Sequence, residues 1–120
     1  MAATKTAKTF QSPVSNTSGS TTTGTAVSLT TGYGCLVTAK ITNGATGPTV
    51  ACDFVVNVSN DNFSADLVEV FRATAGTANN GVYYFSFELP ACVMYANTVF
   101  TGNTGQAVTV QCTGEELTTI

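Results

Sequence analysis

Histidine and tryptophan are missing from these 120 residues, and charge is scarce: four basic and seven acidic side chains make up 9% of the chain. Globular domains usually carry about a quarter of their residues as charges. Without histidine there is no Ser–His–Asp or Cys–His nucleophile system, and the commonest general base and metal ligand is absent. A net charge of −3 argues against binding nucleic acid through its phosphates, which needs clustered Lys and Arg. No apolar run approaches the roughly 18 residues of a membrane span. Met1 to Phe10 carries two lysines but no apolar stretch behind them, so it does not read as a secretory signal. No cofactor, nucleic acid or membrane is expected as a partner.

What remains is Thr, Ser, Gly, Asn, Ala and Val in short alternating runs between turn signals, with 43% of residues apolar. That is enough for one folded core in a chain of this length. Residues 1–24 stand apart. Phe10 is their only aromatic, and Ser18 to Gly24 has the composition of a linker. This segment holds Lys5 and Lys8, so it is +2, while residues 25–120 carry two basic and seven acidic groups, or −5. The expectation is an extended cationic N-terminal arm over 1–24 and a β domain over 25–120.

From Thr25 onward the period is two. Cys35, Val37, Ala39 and Ile41 alternate with Leu36, Thr38, Lys40 and Thr42. Val50, Cys52, Phe54, Val56 and Val58 give five apolar residues on one face, the mark of a central, half-buried strand. Leu67–Arg72 fits a strand or a short helix, and its two valines favour the strand. Thr77-Ala-Asn-Asn-Gly81 is a hairpin signal, because Asn-Gly supplies the positive φ of tight turns. Tyr83, Phe85, Phe87 and Leu89 then share a core-facing side, until Pro90 ends the ladder. Met94–Thr101 is a further strand, and Gly102 to Gly105 a second tight turn leading to a partner strand over 107–112. Thr113–Ile120 reads as a polar, acidic tail. About seven strands with turn chemistry between them imply an all-β protein: a single antiparallel β-sandwich, jelly-roll-like.

Few constellations carry chemistry. Asp53, Glu69 and Glu88 fall on strands, where a pair of carboxylates could cleave glycosides, but strand-face acids are more often solvated charges that discourage aggregation. No enzyme is expected. Asn60, Asp61, Asn62, Ser64 and Asp66 form an oxygen-rich loop that departs from EF-hand spacing, with Ala65 where Gly is required and Phe71 where Glu is required. An Asx-rich turn is the simpler reading. The sequons at Asn16, Asn57 and Asn62 are what an Asn/Ser/Thr-rich chain supplies by chance. Cys35, Cys52, Cys92 and Cys112 have no C-x-x-C knuckle for zinc and read as buried free thiols on strands. Interaction candidates are Lys5, Lys8 and Phe10 on the arm, and Tyr33, Tyr84 and Tyr95, since tyrosine offers large area with a polar tip.

In texture, the stretches Ala75-Gly-Thr-Ala-Asn-Asn-Gly-Val-Tyr-Tyr-Phe85 and Thr101-Gly-Asn-Thr-Gly-Gln106 resemble the small all-β structural proteins of tailed bacteriophage virions, above all capsid cement or decoration proteins. The resemblance spans the chain and implies a protein that stabilises the phage head by binding the outer shell after assembly in the host cytoplasm. It implies the major capsid protein and copies of itself as partners, with a homo-oligomer such as a trimer. A tail, neck or fibre component is the alternative within that class. A carbohydrate-binding or adhesive surface module is the alternative outside it.

Overall fold

The computed structural model describes residues 2–120. The strands are β1 (Thr4–Asn16), β2 (Thr22–Thr23), β3 (Val27–Ser28), β4 (Cys35–Asn43), β5 (Asp53–Ser59), β6 (Val68–Thr74), β7 (Val82–Leu89), β8 (Tyr95–Thr101) and β9 (Val108–Thr119). No helix occurs among the described residues. Two sheets form: β1-β9-β4-β7, called the first sheet below, and β2-β8-β5-β6, with β3 also pairing with β8. Every ladder is antiparallel.

The pairing is nested. The first strand pairs with the last, β2 and β3 together with β8, β4 with β7, and β5 with β6. A long antiparallel hairpin rolled up on itself has this pattern, which is the jelly roll. Only β5 and β6 are joined as a true hairpin. The turns at 77–81 and 102–105, expected to close hairpins, instead carry the chain from one sheet to the other. Asn80 does take a positive φ of 55°, so the local turn chemistry holds. What the Asn-Gly signal does not encode is which sheet the next strand joins.

The core lies between the layers. Val37, Ala39 and Ile41 from β4, Val108, Val110 and Cys112 from β9, and Phe54, Val56, Ala96 and Phe100 from the second sheet are buried together. Phe54 sits at the centre of an aromatic group, with ring centroids 5.2 Å from Phe100, 6.0 Å from Phe71 and 6.3 Å from Phe85. Edge-on and offset pairs of this kind add about 0.5–1.5 kcal/mol each beyond area burial. Phe71 and Phe87 stack at 4.9 Å and tie β6 to β7 across the layers.

Four expectations are corrected. Residues 1–24 are not an arm: Thr4–Asn16 is an edge strand of the sandwich, and Phe10 is 1% exposed inside the core. Its Thr- and Ser-rich pattern concealed the strand, because hydrogen bonds to β9 rather than apolar alternation hold it. Thr113–Thr119 is not a tail but the second half of β9. Val50 lies outside β5 and is exposed, held only by a bridge to Thr104. Cys35, Cys52 and Cys112 are buried free thiols, but Cys92 is exposed, in the turn that follows Pro90.

Candidate interaction surfaces

The six candidate residues part company in the fold. Phe10 is walled in, so it offers nothing to a partner. Its ring packs against Gly114, where an added Cβ would come within 2.6 Å of Phe10 Cε2 and 2.8 Å of Cys35 Sγ. Lys8 turns inward from β1, and its ammonium pairs with Glu116 at 3.3 Å. Glu116 is 2% exposed, its Oε2 has no hydrogen-bond partner, and Gly32 packs directly against it. This buried acid was missed from sequence because Gly114 and Glu116 occupy inward positions that an apolar pattern would fill. Lys5, Tyr33 and Tyr84 are exposed, while Tyr95 is half-buried at the start of β8.

Three of these residues belong to one surface, the outer face of the first sheet. Register places the side chains in rows across the strands. Val82, Thr42 and Thr109 form one row, and Tyr84, Lys40 and Gln111 the next. Ser86, Thr38 and Thr113 follow, then Glu88, Leu36 and Glu115. On β1, Thr9 extends the third row and Ala7 the fourth. Lys40 Nζ lies 5.8 Å from the centroid of the Tyr84 ring, and Tyr84 is 66% exposed. The pair is a cation–π unit raised above the sheet. At the other end is an open depression of about 550 Å³. Leu36, Leu117 and Tyr33 give it an apolar lining, and Lys5, Glu88 and Glu115 stand among its walls. The loop carrying Tyr33 is docked there by backbone bonds, Tyr33 N to Leu117 O at 2.7 Å and Leu117 N to Gly34 O at 2.9 Å.

A second surface is the side where β6 and β7, each an edge strand of its sheet, run one above the other. Leu67, Val68 and Val70 are exposed along it. The stacked Phe71 and Phe87 beneath are only partly covered. Unpaired edges with apolar side chains are templates for a partner, and proteins normally blunt them. Here the blunting is limited to a fork of charges: Arg72 donates to Asp53 at 2.8 Å and to both oxygens of Glu69, at 2.8 and 3.2 Å. That fork holds the Glu69 carboxyl below its ordinary range, chiefly through the Arg72 hydrogen bonds.

The acidic groups on the strands do not come together as a carboxylate pair poised for cleavage. Asp53 and Glu69 share Arg72, and Glu88 is on the other sheet. In the 60–66 loop Asp61 accepts from the backbone of Ser64, Ala65 and Asp66, and Asp66 from that of Asn60. The one Ser59 hydroxyl proton is shared between the Asp61 and Asp66 carboxylates, and the Ser59–Asp61 bond is the first cause of the lowered Asp61 pKa. The loop is a self-satisfied Asx turn. No group of three or more metal-ligating side chains occurs among the described residues. Of the sequon asparagines, Asn16 and Asn57 are buried.

No protein-family model matches the chain, and no curated protein matches its sequence. Likeness appears at the level of solved structures. The VP2 subviral particle of infectious bursal disease virus matches over 96% of this chain and 33% of its own, at 9% identity and a TM-score of 0.56. This chain therefore spans about a third of that protein's length. The SPBc2 prophage-derived protein YomS matches over 96% of both chains at 14% identity and a TM-score of 0.49. A family 16 carbohydrate-binding module matches over 82% of this chain and 70% of its own, at 12% identity and a TM-score of 0.48. At 9% identity the likeness to the VP2 particle concerns the fold alone.

Proposed function

We propose that this chain is a non-enzymatic structural protein of a virion, of the capsid cement or decoration kind, which works as a homo-oligomer bound to the outer shell. The observation that carries the reading is the β6–β7 side. An edge strand of each sheet lies there, with Leu67, Val68 and Val70 turned to solvent, a surface that a protein acting alone would cover or charge. The jelly roll shared with the VP2 particle over nearly the whole chain supports a place in a viral particle. The Thr- and Ser-rich remainder offers neutral hydrogen-bonding groups, whose contacts depend little on salt. Many modest contacts repeated by symmetry then add up to firm attachment.

The test is to add the purified chain to emptied capsids of the parent virion, then measure copies bound and capsid melting temperature. Hundreds of copies per particle and a raised melting temperature are expected, with both lost in Val68→Lys/Val70→Lys. Binding at a single vertex in a handful of copies would instead make it a tail or neck part. No binding at all would remove the proposal.

A further inference from the structure

The outer face of the first sheet has two unlike ends. One end projects and carries a cation: Tyr84, 66% exposed, with Lys40 stacked on it. The other end is hollow and carries two carboxylates: the 550 Å³ depression, with Leu36 flanked by Glu88 on β7 and Glu115 on β9. Neither carboxylate makes an ion pair among the described residues. With Lys5 at the depression, the face holds two cations and two anions and is neutral as a whole.

Lys40 and Leu36 are four residues apart on β4, so the two ends are separated by about 13 Å along the strands. Midway lies the row of Ser86, Thr38 and Thr113, short and neutral side chains on three adjacent strands. A two-fold axis in the plane of the sheet, crossing the strands at that row, lays β4 antiparallel over β4 of a second copy. It brings Lys40 onto Leu36 of the other molecule, between its two carboxylates, and sets the Tyr84 ring at the rim beside Glu88. The same contacts recur at the other end. An isologous interface requires this kind of self-complementarity.

We infer that a second copy of this chain occupies the outer face of the first sheet, with the Lys40–Tyr84 knob of each molecule seated in the Leu36–Glu88–Glu115 depression of the other. The inference rests on the reading of the protein as a homo-oligomer and names the surface that makes it one. The pairing is face to face, so the β6–β7 edges stay free for the shell. Charges steer the register and exclude the parallel arrangement, whose axis would run along β4 and set Lys40 against Lys40 and Glu88 against Glu115.

The experiment uses the full chain in solution, without capsids. Sedimentation equilibrium is run on the wild type, on Lys40→Glu, on Glu88→Lys/Glu115→Lys, and on an equimolar mixture of the two variants. Circular dichroism and melting curves check that each variant is folded. Each variant alone is expected to self-associate at least tenfold more weakly than the wild type, because like charges now meet. The mixture is expected to regain wild-type association as a one-to-one heterodimer. A monomeric wild type would overturn both this inference and the homo-oligomer reading. An oligomeric wild type whose association is untouched by either variant, or a mixture that fails to recover, would overturn this inference alone.

Discussion

Asn16, at the end of β1, and Asn103, in the β8–β9 turn, bond each other across 87 residues of chain: Asn16 Nδ2 donates to Asn103 Oδ1 at 2.5 Å, and Asn103 Nδ2 donates to the Asn16 carbonyl at 3.0 Å. Both side chains are buried. Asn103 Nδ2 also reaches Gln106 O, and Asn16 accepts from Thr22 Oγ1 and donates to Ser20 O. The pair closes one end of the sandwich and ties the first strand to the last turn.

Asn103→Asp is a sharp probe of that tie. The new carboxylate oxygen would face the carbonyls of Asn16 and Gln106, which have only lone pairs to offer. Leaving a buried polar group unsatisfied costs about 1–3 kcal/mol, more with a charge. Chemical denaturation should show a loss of about 3 kcal/mol or more, against about 2 for Asn103→Ala. Equal losses for the two would mean that the amide donor is not what matters.

Removing residues 1–20 follows the same logic on a larger scale. The deletion takes away β1 and with it Phe10, whose truncation alone is worth about 3–5 kcal/mol in a core. It also uncovers the edge of β9. The shortened chain should aggregate or lose its cooperative melt. A product that melts within a few degrees of the full chain would show the first strand to be an accessory.

Lys8 and Glu116 yield a prediction with a sign change. The carboxylate is 2% exposed, so Lys8→Met strands a charge in the interior. Breaking a fully buried pair costs about 3–5 kcal/mol. The Lys8 side chain is 31% exposed, which lowers the expected loss to about 2 kcal/mol. Adding Glu116→Met in the same chain should recover most of it, since an apolar pair of similar volume is often as stable as an ion pair. A double variant no better than Lys8→Met in urea unfolding would argue that Glu116 is held by its packing against Gly32 instead.

These residues also show what the sequence displays and what it conceals. The strands β4 to β8 are legible because period-two alternation of large apolar residues survives in them. β1 and the far half of β9 are not, because, Phe10 apart, their inward positions hold Lys8, Gly114 and Glu116. Their burial depends on a pairing between opposite ends of the chain, which no local window contains. Tyr33 and Tyr84 were legible as surface residues, since tyrosine needs an outlet for its hydroxyl. Val68 and Val70 were not legible as exposed, because the same alternation marks the core of a central strand and the bare edge of an outer one.

The thiols set a pH limit on the fold. Burial pushes Cys35 and Cys52 up to about 11 and Cys112 up to about 12, from an ordinary value of 9.0. Glu116 adds to the shift at Cys35, while Lys8 opposes it. A raised acid is one the folded state keeps protonated, so this stabilisation is complete below pH 9. Above pH 9 the unfolded chain releases protons that the folded chain retains. Stability then falls by about 1.4 kcal/mol per pH unit for each thiol, up to pH 11 for two of them and pH 12 for the third. Urea unfolding between pH 8 and 11 should show this decline, and Cys112→Ala should flatten it after its own packing loss is subtracted. At pH 8 a disulfide reagent should titrate one fast thiol, the exposed Cys92, and all four only in denaturant. Two or more fast thiols in the folded protein would contradict the burial.

Thr98 gives the one substitution expected to help. Its side chain is fully buried on β8, and its hydroxyl has no hydrogen-bond partner. The Cys112 sulfur lies beside it and is a weak acceptor. Thr98→Val keeps the branched shape and the strand preference while removing the stranded hydroxyl. An unsatisfied buried polar group costs about 1–3 kcal/mol, so the variant should gain about 1 kcal/mol after imperfect repacking. A variant less stable than the parent would place an ordered water or a better-aligned thiol on that hydroxyl, and would return Thr98 to the structural polar residues of the core.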